Sequence, residues 1–348
     1  MARETSTIKR LYSFIGSAVA VLAGFAWMNG TTLQQWLQSS NLPQSLPQIL
    51  NVITQEVSHQ APPPQQQATI RVASFNIQVF GEKKLSNSNV TSKLVQICRH
   101  FDVIAVQEIR SDQQNILPQF ISMLNADGSS YNYVIGPRLG RTDSKEQYAF
   151  VYDQASIEVD RNQLYTIDDP DDLLQREPLV GWFRARGPNP NEAFTFSLVT
   201  VHTTPDPPRV LQGELNVLDD VFLAVRNDGR NEDDVIMLGD FNANHLQLGE
   251  LGQVPGIACV IGDMRDSSGR TVPIPTNTLQ TKQYDNILFD ARATTEFAGK
   301  AGVFNFAQEY GLSQEDAKWI SDHFPVWAEF SVYEGGPNMV AGMGANNR

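Results

Sequence analysis

The segment that decides the fold is VIMLGDFN, residues 235–242, in which a short apolar run ends in a Gly-Asp-Phe-Asn motif. The run from Val235 to Leu238 is typical of a buried strand, and Gly239 after it allows another backbone to approach closely. Asp240 and Asn242 stand two positions apart, so their side chains can point the same way from the strand end. The segment therefore predicts a buried strand with reactive polar groups at its carboxyl end.

Apolar runs of the same kind recur on both sides of this segment. Six further strands are predicted at Arg71 to Ile77, Val103 to Val106, Tyr131 to Ile135, Phe150 to Tyr152, Phe194 to Val201 and Asn286 to Phe289. Between them, helical spacing covers Val90 to His100 and recurs at Leu211, Leu215, Leu218, Phe222 and Val225. Many strands with helices between them favour a layered α/β fold, although periodicity alone does not say which one.

Composition limits the kind of protein. The 348 residues have a net charge of −13, whereas a protein that holds nucleic acid by electrostatics alone is expected to be basic. The acidity argues against a stable DNA-binding module, but it is compatible with a nuclease whose contacts are local, transient or bridged by metal ions. The two cysteines, Cys98 and Cys259, are interpreted as buried thiols, and a disulfide between them is left open.

The ends of the chain differ in composition from its middle. Residues 1–30 carry basic residues and then an apolar run from Leu11 to Met28, which predicts a signal peptide or a membrane anchor. The basic residues predict a cytoplasmic N-terminus and an exported remainder. Residues 31–68 are interpreted as a Gln/Pro-rich linker and 334–348 as a flexible tail. One catalytic domain is expected at 69–333, outside the cytoplasm, either secreted or membrane-anchored.

Polar residues stand next to six apolar runs, where loops present side chains on a rigid scaffold. The six places are Ser74-Phe75-Asn76, Val106-Gln107-Glu108, Val201-His202, Gly239-Asp240-Phe241-Asn242, Tyr284-Asp285-Asn286 and Ser321-Asp322-His323-Phe324-Pro325. Their carboxylate and amide oxygens suit Mg²⁺, Mn²⁺ or Ca²⁺ rather than zinc. Two histidines beside such a cation suit hydrolysis of a phosphodiester, because one can take a proton from water and the other can protonate the leaving oxygen.

These motifs, in this order, resemble the endonuclease/exonuclease/phosphatase superfamily, and within it the deoxyribonuclease I group. Gly-Asp-Phe-Asn and Ser-Asp-His-x-Pro mark the superfamily, whereas Asn-Ile-x-x-Phe-Gly at 76–81 and Arg-Glu-Pro at 176–178 select deoxyribonuclease I. The resemblance implies a four-layer α/β/β/α sandwich, in which two packed β-sheets are flanked by helices. It places the site at one edge of the sheets and runs over essentially the whole of residues 69–333.

The resemblance also implies a role for each motif residue. The expected metal ligands, for Mg²⁺ or Mn²⁺ with Ca²⁺ as a further candidate, are Glu108, Asp240, Asp322 and Asn76. The expected catalytic residues are His202, His323, Glu146, Asp285 and Asn242. The expected DNA contacts are Arg110, Arg176 and Tyr148. His202 with Glu146 is expected as the general acid and His323 with Asp285 as the general base, while Asn242 should bind the scissile phosphate.

Two departures from the family pattern concern the grip on DNA and the fixing of a loop. Ser144 stands where the family has a tyrosine that packs against the minor groove. The family's disulfide cysteines have no counterpart, since Asn244-His245 follow the Gly-Asp-Phe-Asn motif and Gln283 precedes Tyr284. We therefore expect that loop to be held by packing or by a cation.

The function expected from these features is metal-dependent cleavage of DNA with little sequence specificity. The enzyme should act as a monomer with no obligate protein partner, and a membrane contact through residues 1–30 is left open. The alternative is a phosphodiesterase or phosphatase of the same superfamily that acts on a lipid or nucleotide, which the N-terminal apolar run would suit. A catalytically silent binding domain would lack a motif residue, and every motif residue is present in the sequence.

Overall fold

The structure is a computed structural model that describes residue 62 and residues 67–141, 145–205 and 207–336. All of these belong to one compact unit, which spans residues 61–348. The expected hydrophobic segment, most of the linker and most of the tail lie outside the described residues, so the domain boundaries stay predictions. Among the helices of the described ranges, none is both long enough and apolar enough to cross a membrane.

Strands make up most of the regular structure in these ranges. The strands are β1 (Thr69–Phe80), β2 (Val103–Ile109), β3 (Tyr131–Ile135), β4 (Gln147–Asp153), β5 (Ile157–Thr166), β6 (Leu179–Ala185), β7 (Thr195–His202), β8 (Val235–Asp240), β9 (Ile257–Cys259), β10 (Asp263–Arg265), β11 (Thr271–Pro273), β12 (Asp285–Asp290), β13 (Phe297–Val303) and β14 (Val326–Ser331). The helices are α1 (Glu82–Leu85), α2 (Ser88–Cys98), α3 (Ile116–Leu124), α4 (Pro208–Leu215), α5 (Leu218–Arg226), α6 (Phe306–Glu309) and α7 (Gln314–Ile320).

The strands form two large sheets and one small hairpin. The first sheet has the order β13-β14-β1-β2-β4-β3, and the second has the order β5-β6-β7-β8-β12-β9. Each sheet contains one parallel pair, β1 with β2 and β7 with β8, and the remaining neighbours are antiparallel. The hairpin pairs β10 with β11.

Alternation of side chains along the central strands produces the layers. On β8, Ile236 and Leu238 pack into the core between the two sheets, whereas Val235 and Met237 pack with Phe222 of α5 on the outer face. The same alternation on β1 and β2 fills a third core beneath α2, α3 and α7. Three apolar cores therefore separate four layers, and the predicted α/β/β/α sandwich is confirmed.

The cysteines do not join these layers. Cys98 is fully buried against the helix-side core of the first sheet, and Cys259 is half-buried at the end of β9. Both are free thiols, so the disulfide that the sequence left open is not formed. Burial raises the pKa of the Cys98 thiol to about 12, which keeps it protonated and unreactive at neutral pH.

Candidate active site

The topology brings the motif residues to one edge of both sheets. The strands β2, β7 and β8 run toward this edge, whereas β4 and β12 run away from it. Glu108, His202 and Asp240 therefore reach this edge from the carboxyl ends of β2, β7 and β8. Glu146 and Asp285 reach it from the starts of β4 and β12. In the second sheet the register is direct, because His202 lies opposite Asp240 and Asp240 lies opposite Asp285.

Gly239 makes the close packing of this edge possible. Its φ angle is 152°, and a Cβ atom added there would lie 2.0 Å from the carbonyl oxygen of Val201 on β7. Any side chain would push β8 away from β7, and with it Asp240 away from His202. Asn242 then turns the chain with a φ of 48°, and its backbone N–H donates to Asp240 Oδ1 at 2.9 Å. The strand end predicted from the Gly-Asp-Phe-Asn motif is thus held by its own backbone.

The first histidine pair consists of His202 and Glu146, both buried. His202 Nδ1 lies 2.7 Å from Glu146 Oε1. Burial lowers the pKa of His202, but the Glu146 carboxylate outweighs burial and raises that pKa above its ordinary value. Arg176 Nε lies 3.4 Å from Glu146 Oε1, and Arg110 Nη2 lies 3.3 Å from Glu146 Oε2. Burial raises the pKa of Glu146, but His202 and the two arginines together hold it below its ordinary value.

The second pair consists of His323 and Asp285. His323 Nδ1 lies 2.8 Å from Asp285 Oδ2, which also accepts a hydrogen bond from the Thr276 hydroxyl at 2.7 Å. Burial lowers the pKa of His323, but Asp285 and then Asp240 outweigh it and raise that pKa to about 10. In both pairs the carboxylate holds Nδ1, which leaves Nε2 as the atom that faces the site.

The two imidazoles meet at a single carboxylate. Asp240 Oδ2 lies 3.5 Å from His202 Nε2 and 3.6 Å from His323 Nε2. One oxygen atom of β8 is therefore close to both proton-transfer atoms. His202, His323 and Asp240, which were expected as the acid, the base and a metal ligand, therefore lie next to one another.

Asn76, an expected metal ligand, hydrogen-bonds to two of the other expected ligands. Its Nδ2 donates to Glu108 Oε1 at 3.2 Å and to Asp240 Oδ2 at 3.0 Å, while its Oδ1 accepts from the backbone N–H of Gln78 at 2.9 Å. Asn76 therefore orients the carboxylates of both sheets, and its Oδ1 keeps a second lone pair, so its expected role as a metal ligand stays a prediction.

The remaining carboxylate oxygens fit a hard cation. Asp322 Oδ2 accepts from Gln78 Nε2 at 2.8 Å, whereas Asp322 Oδ1 and Asp285 Oδ1 are buried and have no hydrogen-bonding partner within the described ranges. Asp240, Asp285 and His323 each offer a ligand atom within 4.8 Å of the others. Buried carboxylate oxygens that accept no hydrogen bond are rare unless an ion or a water molecule binds them. The donor set therefore suits Mg²⁺, Mn²⁺ or Ca²⁺.

Sequence reasoning missed three residues that hold the site together. Thr276 and Gln78 bond to site carboxylates, as described above, and Lys84 Nζ donates to the carbonyl oxygens of Ile77, Gln78 and Ile320. Burial lowers the pKa of Lys84 to about 8, although Asp322 and Glu108 act in the opposite direction. Thr276 and Lys84 lie outside the motifs, and Gln78 occupies an unspecified position of the Asn-Ile-x-x-Phe-Gly motif, so no sequence signal pointed to these contacts.

The three expected DNA contacts differ in position. Arg110 Nη2 lies 3.1 Å from Glu108 Oε2 as well as near Glu146, so it bridges the metal-ligand and histidine parts of the site. Arg176 Nε donates to the backbone oxygen of His202 at 2.9 Å. Tyr148 has no exposed surface, and its hydroxyl lies 3.5 Å from the same backbone oxygen. The expected DNA contact of Tyr148 is therefore wrong, because its side chain packs between the sheets. Ser144 lies outside the described residues.

The loop that lacks the family's disulfide is held by a glutamine. Gln283 Oε1 accepts from the backbone N–H of His245 at 2.7 Å, and Gln283 Nε2 donates to the carbonyl oxygens of Gly262 and Ile274. These bonds join the loop after Asn242 to the segment before Asp285. Hydrogen bonding from one buried side chain takes the place that packing or a cation was expected to fill.

The family profile and the sequence relatives that match this chain point to the same family of phosphodiester hydrolases. A profile of the Endonuclease/Exonuclease/phosphatase family matches residues 73–323. Deoxyribonuclease gamma of Rattus norvegicus is 35% identical over 272 residues, which cover 74% of this chain and 83% of that protein. Deoxyribonuclease-1-like 1 of Bos taurus is 32% identical over 273 residues, which cover 76% of this chain and 81% of that protein.

Solved structures with the same fold are more distant in sequence. Humanized D. rerio TDP2 superimposes with a TM-score of 0.50 and 16% identity, over 76% of this chain and 100% of that one. ANGEL2, a 2′,3′-cyclic phosphatase in complex with adenosine-2′,3′-vanadate, has a TM-score of 0.50 and 15% identity, over 76% and 96% of the two chains. At this level of identity the likeness shows the fold alone.

Proposed function

The chain belongs to the endonuclease/exonuclease/phosphatase family, as a deoxyribonuclease I-like phosphodiester hydrolase, and we propose that it is a divalent-metal-dependent endonuclease that cuts DNA with little sequence specificity. The observation that carries the proposal is the convergence of His202 Nε2 and His323 Nε2 on Asp240 Oδ2. Two imidazoles so placed can exchange protons with the attacking water and the leaving oxygen of one phosphodiester. The sequence relatives named deoxyribonucleases support DNA as the substrate.

We assign the general acid to His202 and the general base to His323. On the charges of the protein alone both pKa values are raised, and that of His323, at about 10, keeps its ring protonated at neutral pH. His323 must therefore lose its proton before it can accept one from water. The carboxylates of Asp285, Asp240 and Asp322 are what hold its pKa up, and the last two are expected ligands of the cation.

Glu108, Asp240 and Asp322 would hold the cation, Mg²⁺ or Mn²⁺, with Ca²⁺ as a further candidate. When bound, the cation would offset these carboxylates and stabilise the negative charge that develops on the phosphate. Asn76 keeps Glu108 and Asp240 in position by donating to both. Asn242, whose Nδ2 donates to the backbone oxygen of Thr203 at 2.8 Å, is assigned to the scissile phosphate.

Arg110 and Arg176 are assigned to the DNA backbone beside His202. Arg176 Nη2 is buried and has no hydrogen-bonding partner among the described residues, so it is a donor suited to a phosphate oxygen. The two guanidinium groups place positive charge locally on a chain of net charge −13. Such local charge can bind substrate while the acidic remainder of the protein favours release of the product.

Plasmid nicking by the full chain tests the proposal. The wild-type protein with Mg²⁺ and Ca²⁺ should convert supercoiled plasmid to the open circular form, whereas His202→Ala should be slower by about 100-fold or more. Excess chelator should abolish nicking, and added Mg²⁺ should restore it. Nicking that persists in excess chelator would refute the metal dependence. If neither protein nicks DNA, lipid and nucleotide phosphodiesters become the substrates to assay.

We also propose that the catalytic region, 69–333, lies outside the cytoplasm as a monomer, secreted or held by residues 1–30. The basic residues and apolar run of that N-terminal segment support export. Membrane fractionation of the full chain, beside a chain that starts at Thr69, checks the anchor, and sedimentation checks the oligomeric state. Recovery of both chains in the cytoplasmic fraction would contradict the proposed location.

A further inference from the structure

A second group of carboxylates, two of them buried and one exposed, lies at the opposite edge of the sheets from the candidate active site. Asp234 directly precedes β8, and Asp240 ends the same strand. Because a strand rises about 3.3 Å per residue, the two aspartates are on the order of 20 Å apart. Glu296 directly precedes β13, and Glu334 follows β14 by a few residues. This group, which we call the distal acidic cluster (Asp234, Glu296 and Glu334), therefore contains residues from both sheets.

The three carboxylates are close to one another. Each offers one oxygen atom within 4.8 Å of the other two. Asp234 is 2% exposed and Glu296 is 1% exposed, so water screens little of their mutual repulsion. In the part of the chain that the structure describes, no lysine or arginine forms an ion pair with any of the three. The cluster therefore brings three carboxyl groups together without a lysine or arginine of the described residues to balance them.

Several oxygen atoms at the cluster have no hydrogen-bonding partner. Among the described residues, Asp234 Oδ1 and Glu296 Oε2 are buried and have no hydrogen-bonding partner. The hydroxyl oxygen of Thr294 is also buried without a well-formed hydrogen bond, and its weak contact with Asp234 acts to lower the pKa of that carboxyl. Two of the other oxygens have donors, because Glu296 Oε1 accepts from the backbone N–H of Gly335 and Glu334 Oε2 accepts from that of Thr195. Buried carboxylate oxygens without a donor are strongly unfavourable unless something else satisfies them.

The electrostatic state of Asp234 agrees with this geometry. Burial and the neighbouring Glu296 raise the pKa of Asp234 to about 8, so the protein's own groups do not stabilise its charged form. Asp233, also nearby, is exposed, and Glu232 is already satisfied, because it accepts from the indole N–H of Trp182 at 3.0 Å and from the backbone N–H of Asp234 at 3.1 Å. Of the buried acids in this region, Asp234 and Glu296 are therefore the ones with an unsatisfied oxygen.

We propose that the distal acidic cluster binds a Ca²⁺ ion, with the Thr294 hydroxyl oxygen as a further ligand. The donors are all hard oxygens in an irregular arrangement, which Ca²⁺ accepts more readily than Mg²⁺ does. Asp234 belongs to the second sheet, while Glu296 and Glu334 flank strands of the first. The ion would join the two sheets at the edge far from the catalytic centre and stabilise the folded chain by mass action. This site is separate from the cation at Glu108 and does not depend on the proposed nuclease activity.

Thermal unfolding of the full chain tests the site. The matched variant is Asp234→Asn with Glu296→Gln, which keeps side-chain volume and removes two of the repelling charges, so it should fold. After chelation, saturating Ca²⁺ should raise the Tm of the wild type by about 5 °C more than that of the variant. An equal Ca²⁺-induced shift in both proteins would overturn the proposal. Plasmid nicking with Mg²⁺, measured well below either Tm, should be the same for both, which separates this site from the catalytic one.

Terbium luminescence locates the ion. Tb³⁺ binds hard-oxygen Ca²⁺ sites and emits when a nearby indole is excited, and Trp182 is joined to Asp234 through Glu232. The wild type should give emission that Ca²⁺ displaces, and the double variant should lose that emission. Trp182→Phe should lose most of the emission while it keeps the Ca²⁺-induced Tm shift. Displaceable emission of undiminished strength in the double variant would place the ion elsewhere and contradict the proposal.

Discussion

The two histidine–carboxylate pairs perform the same local task in different electrostatic surroundings. Glu146, the partner of His202, lies between Arg110 and Arg176, at 3.3 and 3.4 Å. Asp285, the partner of His323, forms no ion pair with lysine or arginine among the described residues and is held instead by the Thr276 hydroxyl. Both arginines act to lower the pKa of Glu146, and Arg176 acts to lower that of His202, whereas Asp240 and Asp322 add to Asp285 in raising the pKa of His323.

This difference separates a substrate-facing pair from a cation-facing pair. The arginines beside His202 add positive charge where the DNA backbone is proposed to lie, so Glu146 has to balance them as well as orient the ring. His323 is next to Asp322 and 3.6 Å from Asp240, so its ring belongs with the expected metal ligands. The Nδ1-to-carboxylate distances are similar, 2.7 and 2.8 Å, but the charged groups around the two pairs differ, because arginines accompany the first and further carboxylates the second.

The largest effect should come from removing either imidazole. His202→Ala and His323→Ala should each lower kcat for plasmid nicking by about 10²–10⁴-fold, because each removes one proton transfer. The double variant should be little worse than the poorer single variant, since residues that act as a unit are not additive. Initial nicking rates of the three variants provide the measurement. A single variant with nearly normal kcat would show that its pair is not part of the reaction.

The carboxylates should differ in importance. Glu146→Gln should lower the nicking rate by about 10-fold more than Asp285→Asn, with both losses near or above the 10–100-fold range typical of partners that orient a histidine. The reason is that Glu146→Gln leaves His202 with Asp240 opposed by Arg176, whereas Asp285→Asn leaves His323 with both Asp240 and Asp322. Steady-state rates of the two variants, with folding checked by circular dichroism, decide the order. The reverse order would mean that Arg176 does not oppose the charge of His202.

Thr276 should matter for stability. Thr276→Val removes the hydroxyl that donates to Asp285 and that accepts from the backbone N–H groups of Tyr284 and Asp285. Leaving these buried groups unsatisfied should lower the free energy of unfolding by about 2 kcal/mol. Thr276→Ser keeps the hydroxyl and is the control, with a much smaller loss. Urea denaturation of the three proteins measures the difference, and equal stability of the valine variant would contradict the role given to the hydroxyl.

The smallest effect is expected at Tyr148. Tyr148→Phe removes one long hydrogen bond to the backbone oxygen of His202 and leaves the packing between the sheets intact. We expect the nicking rate to change by less than about 5-fold, in line with one neutral hydrogen bond, and the affinity for DNA to stay the same. Fluorescence anisotropy with a short labelled duplex measures that affinity. A clear drop in affinity would restore the direct DNA contact that burial of this side chain argues against.

Prediction from sequence succeeded where a pattern is local. Tyr131 to Ile135 was predicted with the bounds that the structure has, and β8 and β12 were each found from one apolar run next to a polar motif. The sequence did not predict strands β5, β6, β13 and β14, because polar residues and glycines interrupt the alternation of apolar residues in them. Their places in the sheets depend on neighbouring strands, which periodicity along one segment cannot report.

The sequence by itself determined the layered fold and the identity of the reactive groups. Strand-ending motifs such as Gly-Asp-Phe-Asn specify both a close backbone approach and the donor atoms that follow it, since backbone and side chain are encoded in one short segment. The tertiary structure alone decided that Asn76 donates to carboxylates, that Tyr148 is buried, and that Thr276 and Lys84 hold the site. Each of these depends on partners distant in the chain, and hydrogen bonds and burial are properties of pairs rather than of single residues. The distal acidic cluster is the clearest case, because residues 234, 296 and 334 meet only after the two sheets have packed together.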